Sequence, residues 1–183
     1  MFTDSTYYKS LIYIPKVAEI DTFEVDYIDT YEREILKQVL GTELYNLVVA
    51  AKADASGIYY DLINGKDYTV NCDGVDRIIH WNGLVNDEKI SLLSDYVFTK
   101  YAEITRYAMT SEGVVIQGVE NSTAISPTMK LVSVYNRCAG LVGKGGESIL
   151  NETLYNFLYE HSDDYPTWTF RRPNIFGVNK YGI

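Results

Sequence analysis

A chain of 183 residues and 20.8 kDa suits one domain with room for extended arms, and an apolar fraction of 46% supplies a sizeable core. Sixteen basic against 25 acidic residues leave a net charge of −9, which argues against a protein that grips nucleic acid through a basic footprint. Seventeen tyrosines stand against six phenylalanines and two tryptophans, and a side chain with an apolar face and a hydroxyl suits half-buried contact surfaces.

Residues 1–25 mix tyrosine, isoleucine and acids without helical periodicity and are interrupted by Pro15, so an irregular or partly strand-forming arm is expected. Asp4 and the short apolar run Leu11 to Ile14 do not make a signal peptide, and no stretch approaches the ~18 apolar residues of a membrane span. The expectation is a soluble protein made to stay in the cytoplasm of its producing cell. A first helix is expected from Asp26 or Asp29, with Asp29 to Glu32 resembling a capping box and Ile28, Tyr31, Ile35, Val39 and Leu40 on one face. Gly41 stops it, and Thr42 would cap a second helix through Leu44, Leu47, Val48 and Ala51. After one helical turn at Tyr59 to Ile63, the β-prone runs Lys66–Asn71 and Val75–Trp81 flank Cys72-Asp73-Gly74, which predicts a hairpin.

The most regular helix is predicted from a cap at Asn86 or Asp87 through Ile90, Leu93, Val97, Tyr101, Ile104 and Ala108. Leu92, Tyr96 and Tyr107 widen its stripe, so two of its sides should be covered. Val114-Val115-Ile116 reads as a short strand. Ser126-Pro127 then starts a helix through Leu131, Val134, Tyr135, Cys138 and Val142. Gly140, Gly143, Gly145 and Gly146 predict a bend or break, with helix resuming from Glu147 through Leu150, Leu154, Phe157 and Leu158. From Thr167 the chain turns aromatic and non-periodic, which predicts an extended arm packed on another surface.

No catalytic constellation emerges. Cys138 to Gly146 only approximates a phosphate loop: the first glycine position holds Cys138, Gly145 follows Lys144, and a helix precedes the segment instead of a strand. His80 and His161 have no second ligand or triad partner nearby in sequence, and Cys72 and Cys138 match no zinc or disulfide pattern. Asp163-Asp164 ends a helix, where negative charge is unfavourable, so a solvated loop or a contact with a partner's basic group is expected. The acidic run Glu19, Asp21, Glu24, Asp26 and Asp29 reads as a solvated face. No catalytic residue, cofactor or metal is expected.

Tyr31-Glu32, Val39-Leu40-Gly41 and Leu44-Tyr45 together resemble the opening of phage head–tail connector (neck or adaptor ring) proteins, of the kind found in crAss-like and related Bacteroidetes phages. The resemblance continues through Leu62 to Tyr68, Trp81-Asn82-Gly83-Leu84, the helix Leu92–Tyr107 and Thr110 to Val115, covering residues 27–140 in order. It implies a mainly helical subunit, and with the elements read above the expected fold is mainly α, a helical bundle of four to five helices with a small β-hairpin and extended N- and C-terminal arms. The expected organisation is an N-terminal arm at 1–25, a helical connector domain at 26–166 and a C-terminal arm at 167–183. The implied role is a non-enzymatic one, in a ring of typically twelve copies below the portal at the virion neck, assembled in the host cytoplasm. Its partners would be itself, the portal and the adjacent neck or tail rings. DNA would pass through the channel without specific binding, and no membrane is involved. Physical character alone assigns subunit contacts to Trp168, Phe170, Arg171, Arg172, Ile175 and Phe176 in the tail, and to Tyr7, Tyr8, Leu11 and Tyr13 in the N-terminal arm. Two rival readings are a tail-completion or other virion ring protein, and a small carboxylate-dependent hydrolase.

Overall fold

A computed structural model describes residues 1–14, 24–54, 56–110, 113–116, 127–143 and 148–169. A π-helical turn, Glu24–Asp29, leads directly into α1, Thr30–Leu40. Asp29 already has helical backbone angles and makes no cap bond; it pairs instead with Arg33 one turn on. The expected capping box is absent for a second reason, since Glu32 points inward. α1 buries Ile35, Leu36, Val39 and Leu40, and Gly41 separates it from α2, Thr42–Ala50, which buries Leu44 and Val48. Thr42 is the first residue of α2 and not its cap.

The short α3, Ile58–Asn64, leads into the hairpin of β1, Lys66–Cys72, and β2, Val75–Trp81, paired from Lys66↔Trp81 to Cys72↔Val75. Asp73 and Gly74 both have positive φ, 52° and 81°, as a two-residue turn matching strand twist requires. The hairpin turns Tyr68, Val70, Ile79 and Trp81 inward and leaves Ile78 75% exposed. Its base closes on α3 through two facing glycines. A Cβ on Gly83, at φ +79°, would fall 2.6 Å from the Gly65 nitrogen, and one on Gly65 would fall 2.4 Å from the Trp81 carbonyl oxygen.

The helix α4, Leu92–Arg106, begins later than its sequence caps suggest. Asn86 instead closes a loop, accepting from the Ile90 amide at 3.2 Å and donating to the Ile90 carbonyl at 2.6 Å, with Lys89 left-handed at φ +57°. Ser91 serves the helix start: its Oγ accepts from the Leu93 amide at 3.1 Å and donates to the Leu84 carbonyl at 2.6 Å. Every residue from Ser91 to Thr99 is buried, as expected of a helix covered on two sides. α4 packs against α1 on one side and against α5, Pro127–Val142, on the other.

α4 also ends earlier than predicted. Tyr107–Thr110 forms β3, paired antiparallel with β4, Gly113–Ile116. An isolated Val-Val-Ile strand would leave its backbone groups unpaired, and the nearest chain to satisfy them is the end of the predicted helix. After α5 the chain breaks at Gly143, and helix resumes only as α6, Leu154–Glu160, capped by Thr153, whose Oγ1 accepts from the Asn156 amide at 3.2 Å. The Asn156 side-chain amide donates to the carbonyls of Ser148 and Asn151 at 2.9 and 3.0 Å, which holds the intervening loop and delays the helix past the predicted Glu147. The fold is mainly α, with six α-helices and two antiparallel hairpins among the described residues.

Candidate functional site

Residues 1–14 form a strap of two 3₁₀ turns, Ser5–Tyr7 and Ser10–Ile12, lying across the helices. Tyr7, Tyr8, Ile12 and Ile14 bury themselves against Ile28, Val97, Phe98 and Val134, a cluster separate from the main core. Glu32, one of two fully buried carboxylates in the described residues, receives the strap. Its Oε1 accepts from the Thr3 amide and the Thr3 hydroxyl, both at 2.6 Å, and its Oε2 from the Phe2 amide at 2.5 Å. Burial pushes the Glu32 carboxyl above its ordinary value, with these bonds pulling the other way. Tyr7 Oη fastens the strap to the loop before α4, donating to the Asn86 carbonyl at 3.1 Å and accepting from the Asn86 amide at 3.0 Å.

Between the strap and the loop at Glu88–Ile90 lies a cleft of about 570 Å³, lined among others by Asp4, Lys9, Leu11, Glu88, Lys89 and Arg137. Among the described residues the two non-glycine residues with left-handed backbone outside the hairpin turn, Ser10 at φ +52° and Lys89 at φ +57°, both line it. The Lys89 ammonium sits 4.7 Å from the Tyr7 ring centroid. Arg137 on α5 is held by Asp95 on α4, the second buried carboxylate: Nε donates to Oδ2 at 2.7 Å and Nη2 to Oδ1 at 2.5 Å. Side-on bidentate bonding of this kind is that of an ionised carboxylate, and Asp95 in turn holds the guanidinium firmly protonated.

Cys138 and His161 are occupied structurally. Cys138 is buried, with its thiol against the Leu92 carbonyl at 3.4 Å, and burial pushes that thiol far above the range of a nucleophile. His161 closes α6, Nδ1 lying 2.8 Å from the Phe157 carbonyl and its ring against Tyr68 and Phe157. His80 lies exposed opposite Asp67 on the hairpin, 2.5 Å from its carboxylate. Asp163 and Asp164 are exposed in the turn after α6. Among the described residues there is no cluster of three metal-ligating side chains, and no helix is long and apolar enough to cross a membrane.

The residues expected to meet another subunit divide. Tyr7 and Tyr8 are buried in the strap cluster, whereas Leu11 is 43% and Tyr13 57% exposed. Trp168 is only 6% exposed: its indole N–H donates to the Val39 carbonyl at 3.1 Å and its ring meets Tyr155 edge-on at 5.6 Å. Trp168 is therefore anchored in its own chain, because an indole fills the space beside α1 and α6 and finds an acceptor there. Phe170, Arg171, Arg172, Ile175 and Phe176 lie outside the described residues, as do Lys144 to Glu147 of the glycine-rich junction.

Sequence reasoning missed Glu32, the Asp95–Arg137 pair and the mixed-charge lining of the cleft. The available signal was positional: Glu32 and Asp95 fall on apolar stripes, beside Ile28 and Ile35 in one case and Leu92 and Phe98 in the other.

The fold and these sites together define a mainly α domain whose buried polar groups fasten one element to another. The chain belongs to DUF6712, a family of unknown function, whose profile matches residues 36–175. The match runs from the middle of α1 to residue 175 and leaves the strap outside it. No curated protein and no solved structure matches the chain.

Proposed function

We propose that the chain is a structural virion protein, a subunit of a head–tail connector ring stacked below the portal, which extends the DNA channel and offers the tail a docking surface. The observation that carries this reading is the division of labour among its side chains. The buried carboxylates and the buried thiol, Glu32, Asp95 and Cys138, are bonded within the fold, while large apolar side chains such as Tyr13, Ile78 and Met129 stand exposed on the strap, the hairpin and the start of α5. In this reading α1, α2, α4, α5 and α6 are the subunit's bundle of four to five helices, and the exposed apolar positions are covered by neighbours. A closed ring is built from heterologous contacts, one patch meeting a different patch on the next copy, and obligate interfaces often bury ~2,000 Å² or more. A net charge of −9 suits a channel wall along which DNA slides without sticking.

Negative-stain imaging of the purified chain with a mass measurement tests the proposal. A twelve-fold ring supports a connector, a six-fold ring favours a tail-completion protein, and a monomer at all concentrations overturns the ring reading and reopens a carboxylate-dependent hydrolase.

A further inference from the structure

We propose that the strap is an exchangeable latch, closing on its own body in a free chain and on the body of a second copy in the assembled ring. The inference rests on the ring reading and deepens it by naming which segment enters which groove.

The fold itself identifies the occupant, because residues 1–14 fill the groove. Ile28, Val97, Phe98 and Val134 form its apolar floor, and Tyr7, Tyr8, Ile12 and Ile14 pack on them as a cluster of their own. None of the buried residues of the main core belongs to the strap, so the strap can leave while that core stays packed. The polar end of the groove selects this segment too. Glu32 accepts from the Phe2 amide and from both donors of Thr3, and the Asn86 backbone bonds the Tyr7 hydroxyl. Every copy carries the same strap and the same groove, so contacts made in trans repeat those made in cis, and exchange of an identical element is a low-cost route to association.

Two features favour a strap that crosses between copies. It is apolar on both sides: beside the buried Ile12 and Ile14, Leu11 is 43% and Tyr13 57% exposed. A segment lying on one body covers one of those sides, whereas a segment lying between two bodies covers both. The second feature is the tether. Nine residues, 15–23, separate Ile14 from Glu24 and span at most about 30 Å. A short tether holds a segment near its own site at an effective concentration of the order of millimolar. A free chain at micromolar concentration therefore keeps its strap in cis and its groove covered. Copies held side by side in a ring present the neighbouring groove at a comparable concentration, and exchange becomes accessible. Strap and groove are different patches, so their union is heterologous, which is what propagates around a ring.

The test uses the unaltered full chain. Lys9 on the strap and Lys89 on the body line one cleft, so an amine-reactive cross-linker can join them. Equal amounts of unlabelled and nitrogen-15-labelled chain are mixed as monomers, assembled, cross-linked, digested and weighed by mass spectrometry. In rings about half of the Lys9–Lys89 products are expected to join a labelled to an unlabelled peptide, and in micromolar monomer fewer than about one in twenty. A second measurement takes the I12A/I14A chain, which loosens the strap in cis and in trans. It is expected to lower the yield of rings about tenfold while the tryptophan emission of the body stays unchanged. Rings whose cross-links are all isotopically pure, or rings that form equally well from I12A/I14A, overturn the exchange and leave the ring reading standing. Dimers with mixed cross-links keep the exchange and remove the ring. A chain that stays monomeric up to millimolar concentration overturns both.

Discussion

Glu32 illustrates how one side chain organises a segment far from it in sequence. Three donors converge on it from Phe2 and Thr3, so its amide counterpart would set an N–H against at least one of them. E32Q is expected to cost about 1–3 kcal/mol at neutral pH by chemical denaturation. The pH dependence has a definite sign. A carboxyl raised above its unfolded value by burial binds a proton more readily in the folded state. Its contribution is complete below the ordinary carboxylate range and fades as pH rises through the folded value. The stability gap between wild type and E32Q should therefore narrow as pH goes from about 4 to about 7, and a widening gap would contradict this account. Tyr68 presents the converse case. Its hydroxyl is buried without a hydrogen-bond partner among the described residues, and burial pushes its pKa up to about 12. The ring packs edge-on against Phe157 at 5.6 Å, an interaction phenylalanine would keep. Y68F should match or exceed wild-type stability, by up to about 1 kcal/mol, since it removes only the stranded hydroxyl.

Elements whose signals are local follow directly from the sequence. The β1–β2 hairpin rests on Asp73-Gly74, and that pair takes the two positive φ values the turn needs. The facing glycines at its base and the turn glycine at its tip predict contrasting tolerance. G83A brings a Cβ to 2.6 Å of backbone atoms of Ile63, Asn64 and Gly65 at a strained φ, and should cost about 2–4 kcal/mol. Gly74 has nothing within 4 Å of an added Cβ, and asparagine adopts its left-handed backbone readily, so G74N should cost less than about 1 kcal/mol by the same assay. Elements fixed by tertiary context were misplaced. Asn86 and Asp87 have the chemistry of helix caps, yet the left-handed Lys89 turns the chain and hands that role to Ser91. Arg106 ends α4 because β4 needs a partner, which no propensity at residues 107–110 announces. The cleft was illegible for the same reason: Lys9, Lys89 and Arg137 come from a strap, a loop and a helix and meet only in three dimensions.

For the molecule as a whole, Trp168 moves the boundary between body and tail. Sequence character places that boundary at Thr167, but cutting there removes an indole whose loss leaves a cavity beside α1 and exposes Tyr155. A truncation meant to test the tail must begin at residue 170. Under the ring reading, deletion of 170–183 leaves the melting temperature within a few degrees of wild type and reduces ring stacking in reconstituted particles. Particles assembling as well with the shortened chain would remove the tail from the docking surface.

The same indole gives the protein a built-in optical asymmetry. Both tryptophans are buried in the main core and hydrogen-bonded to backbone carbonyls, Trp81 to Leu62 at 3.0 Å and Trp168 to Val39 at 3.1 Å. The strap carries no tryptophan, and its Tyr7 and Tyr8 pack in the separate cluster. Tryptophan emission therefore follows the body, while strap release registers in tyrosine absorbance. Recording both through one titration separates detachment of residues 1–14 from unfolding of the domain, without adding a dye or changing a residue.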